Sequence, residues 1–171
     1  KYLRGNINVL QDDELIPFRK ELEHLDDYIV LEKVRFEDRI QFVKELEVDE
    51  FLIPPLVLQP IVENSILHGL DEVLDDAVII ITADIRDDKL VLTVSDNGKG
   101  AEQSVLDALL SNADVGDYKN QRVHIGIQSV LKRIQILYGN EYGMTMESEL
   151  EKGMTVRIYL PYEKNENIGS R

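Results

Sequence analysis

The chain contains no cysteine in 171 residues. That excludes a disulfide framework and thiolate metal sites, and it fits a reducing cytoplasm. Long apolar runs are missing as well. None approaches the ~20 residues that span a bilayer, and no signal peptide is visible. Positive charge is scarce: nineteen Lys and Arg stand against 33 Asp and Glu, for a net charge of −14. Such a surface repels nucleic acid phosphates and anionic membranes, so neither is an expected partner. An anionic ligand would need local positive potential from backbone N–H groups, a helix N-terminus or a metal. Lys1 rather than Met opens the chain, which therefore reads as a piece of a longer protein, with room for a membrane anchor elsewhere.

What is present is ordinary globular material, 43% apolar and 30% charged. A chain of this length suits one domain that buries roughly 70% of its unfolded surface. Residues 1–16 read as an entry segment, 17–161 as the domain and 162–171 as a disordered polar tail. From Pro17 an amphipathic helix is expected, with Phe18, Leu22, Leu25, Ile29 and Phe36 at helical spacing among charged residues such as Glu21, Asp26 and Lys33. Gln41 to Val48 reads as a short strand. Pro54-Pro55 is expected to start a second helix, which Pro60 distorts and Gly69 ends. Val78 to Ile85 and Leu90 to Ser95 form two strands around the turn Asp87-Asp88-Lys89. The polar stretch 101–123 is partly helical around Val105, Leu106, Leu109 and Leu110. Gly126 to Tyr138 is the clearest helix, and two strands, Tyr142 to Ser148 and Met154 to Leu160, close the domain. Met154, Val156, Ile158 and Leu160 alternate as one buried face requires. Antiparallel runs with helices set to one side point to a two-layer α/β sandwich.

Three short segments carry chemistry. In ENSILHG (Glu63 to Gly69), Gln59 and Glu63 are four apart, as are Asn64 and His68, so an otherwise apolar helix bears a polar strip. Such a strip needs water, or a ligand such as a metal with phosphates. In DNGKG (Asp96 to Gly100), a carboxylate at a strand end precedes two glycines that allow a sharp turn and close approach to a ligand. Asp-Asn-Gly is also an ordinary turn sequence. In His124-Ile125-Gly126, a glycine opening a helix leaves free N–H groups suited to phosphate, or simply a loop-to-helix junction. Taken singly, none decides.

Taken in order, IPPLVLQPIVENSILHG, DNGKG, HIGIQSVLKRIQILYGNEYGMTMES and KGMTVRIYLP closely resemble the ATP-binding domain of histidine kinases. Within that GHKL superfamily the resemblance is to the LytS/YesM-type sensor kinases. It extends upstream through ELEHLDDYIVLEKVRFEDRI and covers about Pro17 to Pro161. It implies a Bergerat-type ATP-binding fold with a mixed, mostly antiparallel sheet and helices on one face. It also implies ATP and Mg²⁺ as ligands. Asn64 would coordinate the metal that bridges the phosphates, beside Glu63 as the second catalytic residue of this N box, and His68 would lie next to the ligand. Asp96 would accept from the adenine amino group, with Gly98 and Gly100 opening the pocket wall. Gly126 would lie against the phosphates at its helix end, Thr155 would line the nucleotide, and 101–123 would form a lid.

Three positions depart from the family's pattern. Leu67 stands where a basic residue often precedes the N-box histidine. Gly126 is the sole glycine of a phosphate loop that is usually richer in them, and Met154 intervenes between the glycine of the last hairpin and Thr155. Lys99, Arg122 and Lys132 are the cations that would offset these losses. None of His24, His68 and His124 sits between proline and phenylalanine as the family's phosphoacceptor does. The resemblance therefore implies a cytoplasmic kinase domain that binds ATP, is anchored through a missing membrane segment and dimerises through missing helices. It would phosphorylate a histidine elsewhere and, through it, a response regulator. The rival expectations are a non-catalytic nucleotide-sensing module and another GHKL-type ATPase, such as an anti-sigma-type kinase.

Overall fold

The computed structural model describes residues 15–36, 39–70, 76–111 and 121–162, without the side chains of residues 68, 69 and 121–125. Most of the entry segment, the tail from residue 163 and residues 112–120 of the expected lid lie outside the described residues. The elements run β1 (Ile16–Pro17), α1 (Phe18–Arg35), β2 (Ile40–Leu46), β3 (Leu52–Ile53), α2 (Gln59–Asn64) with a π-helical turn at Ser65–Gly69, β4 (Ala77–Arg86), β5 (Lys89–Asp96), α3 (Gln103–Leu110), α4 (Gln121–Tyr138), β6 (Gly143–Glu149) and β7 (Gly153–Pro161). No described helix is long and apolar enough to cross a membrane.

The main sheet has the order β2-β4-β5-β7-β6. β2 runs parallel to β4, and every other neighbour pair is antiparallel. The period-2 pattern sets the layers. Ile79, Ile81 and Ala83 of β4 share one face with Leu90, Leu92 and Val94 of β5 and with Val156, Ile158 and Leu160 of β7, and all nine are buried. Ile61, Val62, Ile66, Ile127, Val130 and Ile134 from the helices complete the same core. The two-layer α/β architecture with helices on one face is thus present. Asp87 and Asp88 both take positive φ (49° and 61°), the conformation of a two-residue hairpin turn whose twist suits its strands.

Two helix starts differ from expectation. Pro54-Pro55 does not open α2. Leu56 has φ +57°, which breaks any helical run, and the helix starts at Gln59 with Pro60 in its first turn. There Pro60 removes no intrahelical bond, because first-turn N–H groups have no intrahelical acceptor. Helix α4 begins at Gln121 rather than at Gly126. Gly126 lies in its second turn, where an added Cβ would meet the Cβ of Pro60 at 3.4 Å. A methyl there would make an ordinary van der Waals contact between α4 and α2.

Helix α1 is an integral part of the domain. Phe18 and Phe51 are fully buried and stack at 4.4 Å, and β1 pairs with β3. Glu21, which by sequence reads as one of the solvated charges of α1, is 1% exposed.

Candidate nucleotide-binding site

Asp96 ends β5 at the centre of the sheet, where strand pairing sets it between Ile79 and Met154. It lies on the helix-covered face and is 8% exposed. One carboxylate oxygen, Oδ1, accepts from the Gly98 N–H at 3.0 Å and from the Met154 N–H at 3.3 Å. The other, Oδ2, is buried with no partner among the described residues. Burial raises the Asp96 pKa. The Ser65 hydroxyl and the N–H groups of Gly98 and Met154 oppose that rise. The Ser65 hydroxyl thus acts on the carboxylate without making a hydrogen bond to Oδ2. An exposed acidic side chain would have water on both oxygens. Here one acceptor is buried without a bond among the described residues.

The loop that presents Asp96 is fastened on both sides. Asn97 accepts from the Val78 N–H and donates to the Asp76 carbonyl, both at 2.8 Å, which ties the loop to the start of β4. On the other side it meets the turn between β6 and β7. The Ser148 hydroxyl accepts from the Ala101 N–H and donates to the Gly153 carbonyl, both at 2.8 Å, and the Glu151 N–H donates to the Lys99 carbonyl. Gly100 has φ +67°, and a Cβ there would fall 2.3 Å from the Glu149 carbonyl oxygen. Gly153 has φ +103°, and its Cβ would fall 1.9 Å from the Asp96 carbonyl oxygen. Both glycines are therefore required by close backbone approach. Gly100 keeps the loop against the hairpin, a role different from the open pocket wall expected of it. Gly98 is buried and pins Asp96 through its N–H.

Above this loop lies the N-box helix. Asn64 is 5% exposed and Ser65 1%, and the π turn packs over β5 and β7. A π-helical turn inserts one residue's worth of backbone into a helix and occurs often at functional sites. The polar strip is real at its first pair: Gln59 Nε2 donates to Glu63 Oε1 at 2.8 Å. Glu63 also lies near Tyr28 of α1, whose pKa is raised by burial and by the carboxylates of Glu32 and Glu63. Ser65 and Asn97 were not singled out by sequence. The only available signal was their adjacency to Asn64 and Asp96.

A family model described as the histidine kinase-, DNA gyrase B- and HSP90-like ATPase matches residues 54–164. The chain belongs to this ATPase family. Curated relatives include the sensor histidine kinase YpdA of Escherichia coli (strain K12), 32% identical over 96% of this chain and 27% of its own length. The sensor protein LytS of Oceanobacillus iheyensis is 31% identical over 98% of this chain and 28% of its own. The sensor histidine kinase YesM of Bacillus subtilis (strain 168) is 30% identical over 93% and 26%. The chain thus spans about a quarter of the length of these relatives. Among solved structures, the catalytic domain of histidine kinase ThkA has the same fold, with a TM-score of 0.64 at 16% identity over 88% of this chain and 95% of that one.

In this histidine kinase-type ATPase domain, the remaining expected site residues separate clearly. Met154 faces Asp96 across the β5–β7 pair, and Thr155 therefore points to the opposite face. There its hydroxyl lies 3.0 Å from that of Ser95. The sheet separates Thr155 from Asp96, so it does not join the group around the N box. Leu67 is 40% exposed. Lys132 is exposed on α4, and the side chains of His68, Arg122 and His124 lie outside the described residues. His24 is exposed on α1.

Proposed function

We propose that this ATPase domain binds Mg-ATP between the N-box helix and the Asp96 loop, and that it serves as the catalytic part of a two-component sensor kinase. The observation that carries the reading is the buried Oδ2 of Asp96, which has no partner among the described residues. An exocyclic amine of adenine is the donor that such an oxygen lacks, and the charged acceptor makes the bond a strong one. Gly98 and Met154 hold Oδ1 in place, so the free oxygen is pre-aimed. Asn64 would hold Mg²⁺ through its side-chain oxygen. One amide oxygen is a weak hold by itself, and octahedral coordination would be completed by phosphates and waters. Bound Mg²⁺ supplies charge neutralisation on the phosphates.

Glu63, fixed by Gln59, is the carboxylate beside Asn64 that would take the proton of an incoming imidazole. The γ-phosphoryl group passes from ATP to a nitrogen of a histidine outside this domain and leaves ADP. An aspartate of a response regulator then receives it. Support for that partner comes from the solved complex of histidine kinase ThkA with response regulator TrrA, of which this chain matches the fold at a TM-score of 0.64. Dimerisation through upstream helices and a membrane anchor complete the proposal.

A second reading, nucleotide sensing without turnover, is favoured by Leu67 and Met154 at positions where the family pattern has polar groups. Titration calorimetry with ATP and Mg²⁺ tests the first. We expect measurable binding that Asp96→Asn weakens by about 1.5 kcal/mol or more through loss of a buried charge-assisted bond, and that Asn64→Ala weakens only when Mg²⁺ is present. A parent chain that binds no nucleotide refutes both readings. Binding by a full-length protein that never transfers phosphate to histidine supports the second.

A further inference from the structure

Glu21 is charged, buried and far in sequence from every residue placed in the site, yet it reaches the site's scaffold. One oxygen, Oε2, accepts from the Leu56 N–H at 2.9 Å. The other, Oε1, accepts from the Val57 and Leu58 N–H groups at 2.9 and 3.0 Å. The positive φ of Leu56 turns these successive N–H groups to one side, as in the backbone concavities that hold anions. The turn leads directly into α2, and Leu58 precedes that helix with no side-chain cap of its own. Arg133 of α4 also donates to the Pro55 carbonyl. The turn that starts the N-box helix is therefore bonded by both α1 and α4.

We propose that Glu21 is a positioning residue of the nucleotide site: it fixes the 56–58 turn and with it the rotation of α2 that aims Asn64 and Glu63. This inference rests on the reading of Asn64 as the metal-side group. Side chains reach about 5–6 Å from a helix axis, so a rotation of roughly 10° moves the Asn64 tip by about 1 Å. A displacement of that size is costly where geometry must be held. Asp96 is fixed mainly by β5, β7 and its own loop, with the Ser65 hydroxyl of the N-box helix acting on it as well. A lesion at Glu21 therefore acts chiefly on the phosphate end of the site and much less on the adenine end. A merely structural residue would weaken both alike.

The test uses the full 171-residue chain and Glu21→Gln. The glutamine can retain an oxygen for Val57 and Leu58 but turns an N–H toward that of Leu56. Chemical-shift titrations are run with adenosine and with Mg-ATP, alongside amide hydrogen exchange without ligand. We expect Mg-ATP affinity to fall about tenfold, adenosine affinity to change less than twofold, and exchange to quicken across residues 61–66 but not 90–96. Equal losses for both ligands, no loss for either, or unchanged exchange at 61–66 overturns the role of Glu21 while the parent's binding keeps the nucleotide reading intact. A parent chain that binds neither ligand overturns the nucleotide reading, and the proposed role with it.

Discussion

Replacing Asp96 by Asn should stabilise the ligand-free domain while it removes adenine recognition. In the parent the carboxylate is buried, Oδ1 accepts from two N–H groups, and Oδ2 has no bond among the described residues. The amide oxygen of Asn can keep both N–H donors, and its NH₂ group takes the place of Oδ2. An unsatisfied buried group costs about 1–3 kcal/mol, and more when charged. Because the amide replaces one imperfectly bonded group by another, only the charged part of that cost is recovered, and we expect a gain of about 1 kcal/mol at pH 7.5. The pH dependence fixes the cause. Burial raises the folded-state pKa of Asp96, so the folded chain holds this proton more tightly than the unfolded one. The contribution of the group to stability is full below the unfolded-state pKa and is lost as pH rises through the raised folded value. The advantage of Asn should therefore be largest at neutral pH and shrink as the solution is acidified through that window. Urea unfolding at several pH values, read as a midpoint shift at unchanged slope, measures it. A variant less stable than the parent at pH 7.5 would mean that the carboxylate charge is compensated in the folded state, and the account of an unpartnered oxygen would be wrong.

Glycine positions give a second set of expectations. Gly153→Ala drives a methyl into the Asp96 carbonyl and should cost at least ~3 kcal/mol or prevent folding. Gly139→Ala, with φ +92° but nothing within 4 Å, should cost only about 1 kcal/mol of backbone strain, and equal urea midpoints for the two would refute the clash. Asn97→Ala loses the bonds to Val78 and Asp76 and should lower stability by about 1–2 kcal/mol in the same assay.

The sheet was readable because alternation leaves a plain trace: β4, β5 and β7 fall within a residue or two of expectation. The same alternation already assigned Thr155 to the face opposite Met154, so its expected place beside the nucleotide conflicted with a pattern visible in the sequence. Asp96 stood out only through its place in the ordered run of motifs, since Asp-Asn-Gly by itself is an ordinary turn sequence. Glu21 was not legible, since a glutamate on an amphipathic helix looks solvated until the turn it serves, 35 residues on, is in place. Pro54-Pro55 misled for a related reason. Proline is compatible with a helix start, and only the left-handed Leu56 shows that the chain turns before it coils. The start of α4 was misplaced because Gly126 was read as the opening of a helix, whereas the helix runs from Gln121 through it. The π turn at Ser65–Gly69 has no sequence signature to read.

The position of β7 has a consequence for how the chain acquires its site. It is the last strand in sequence yet lies between β5 and β6 in the interior of the sheet. Until it arrives, β5 has an open edge carrying Leu90, Leu92 and Val94, and Asp96 has no Met154 N–H to hold it. During synthesis from the N-terminus, a partly emerged chain would expose that edge to other chains for as long as the final hairpin is delayed. Ligand competence is in this sense a property of the domain with β7 in place: residues up to 150 contain the N box and the Asp96 loop, but not the strand that joins them into a site.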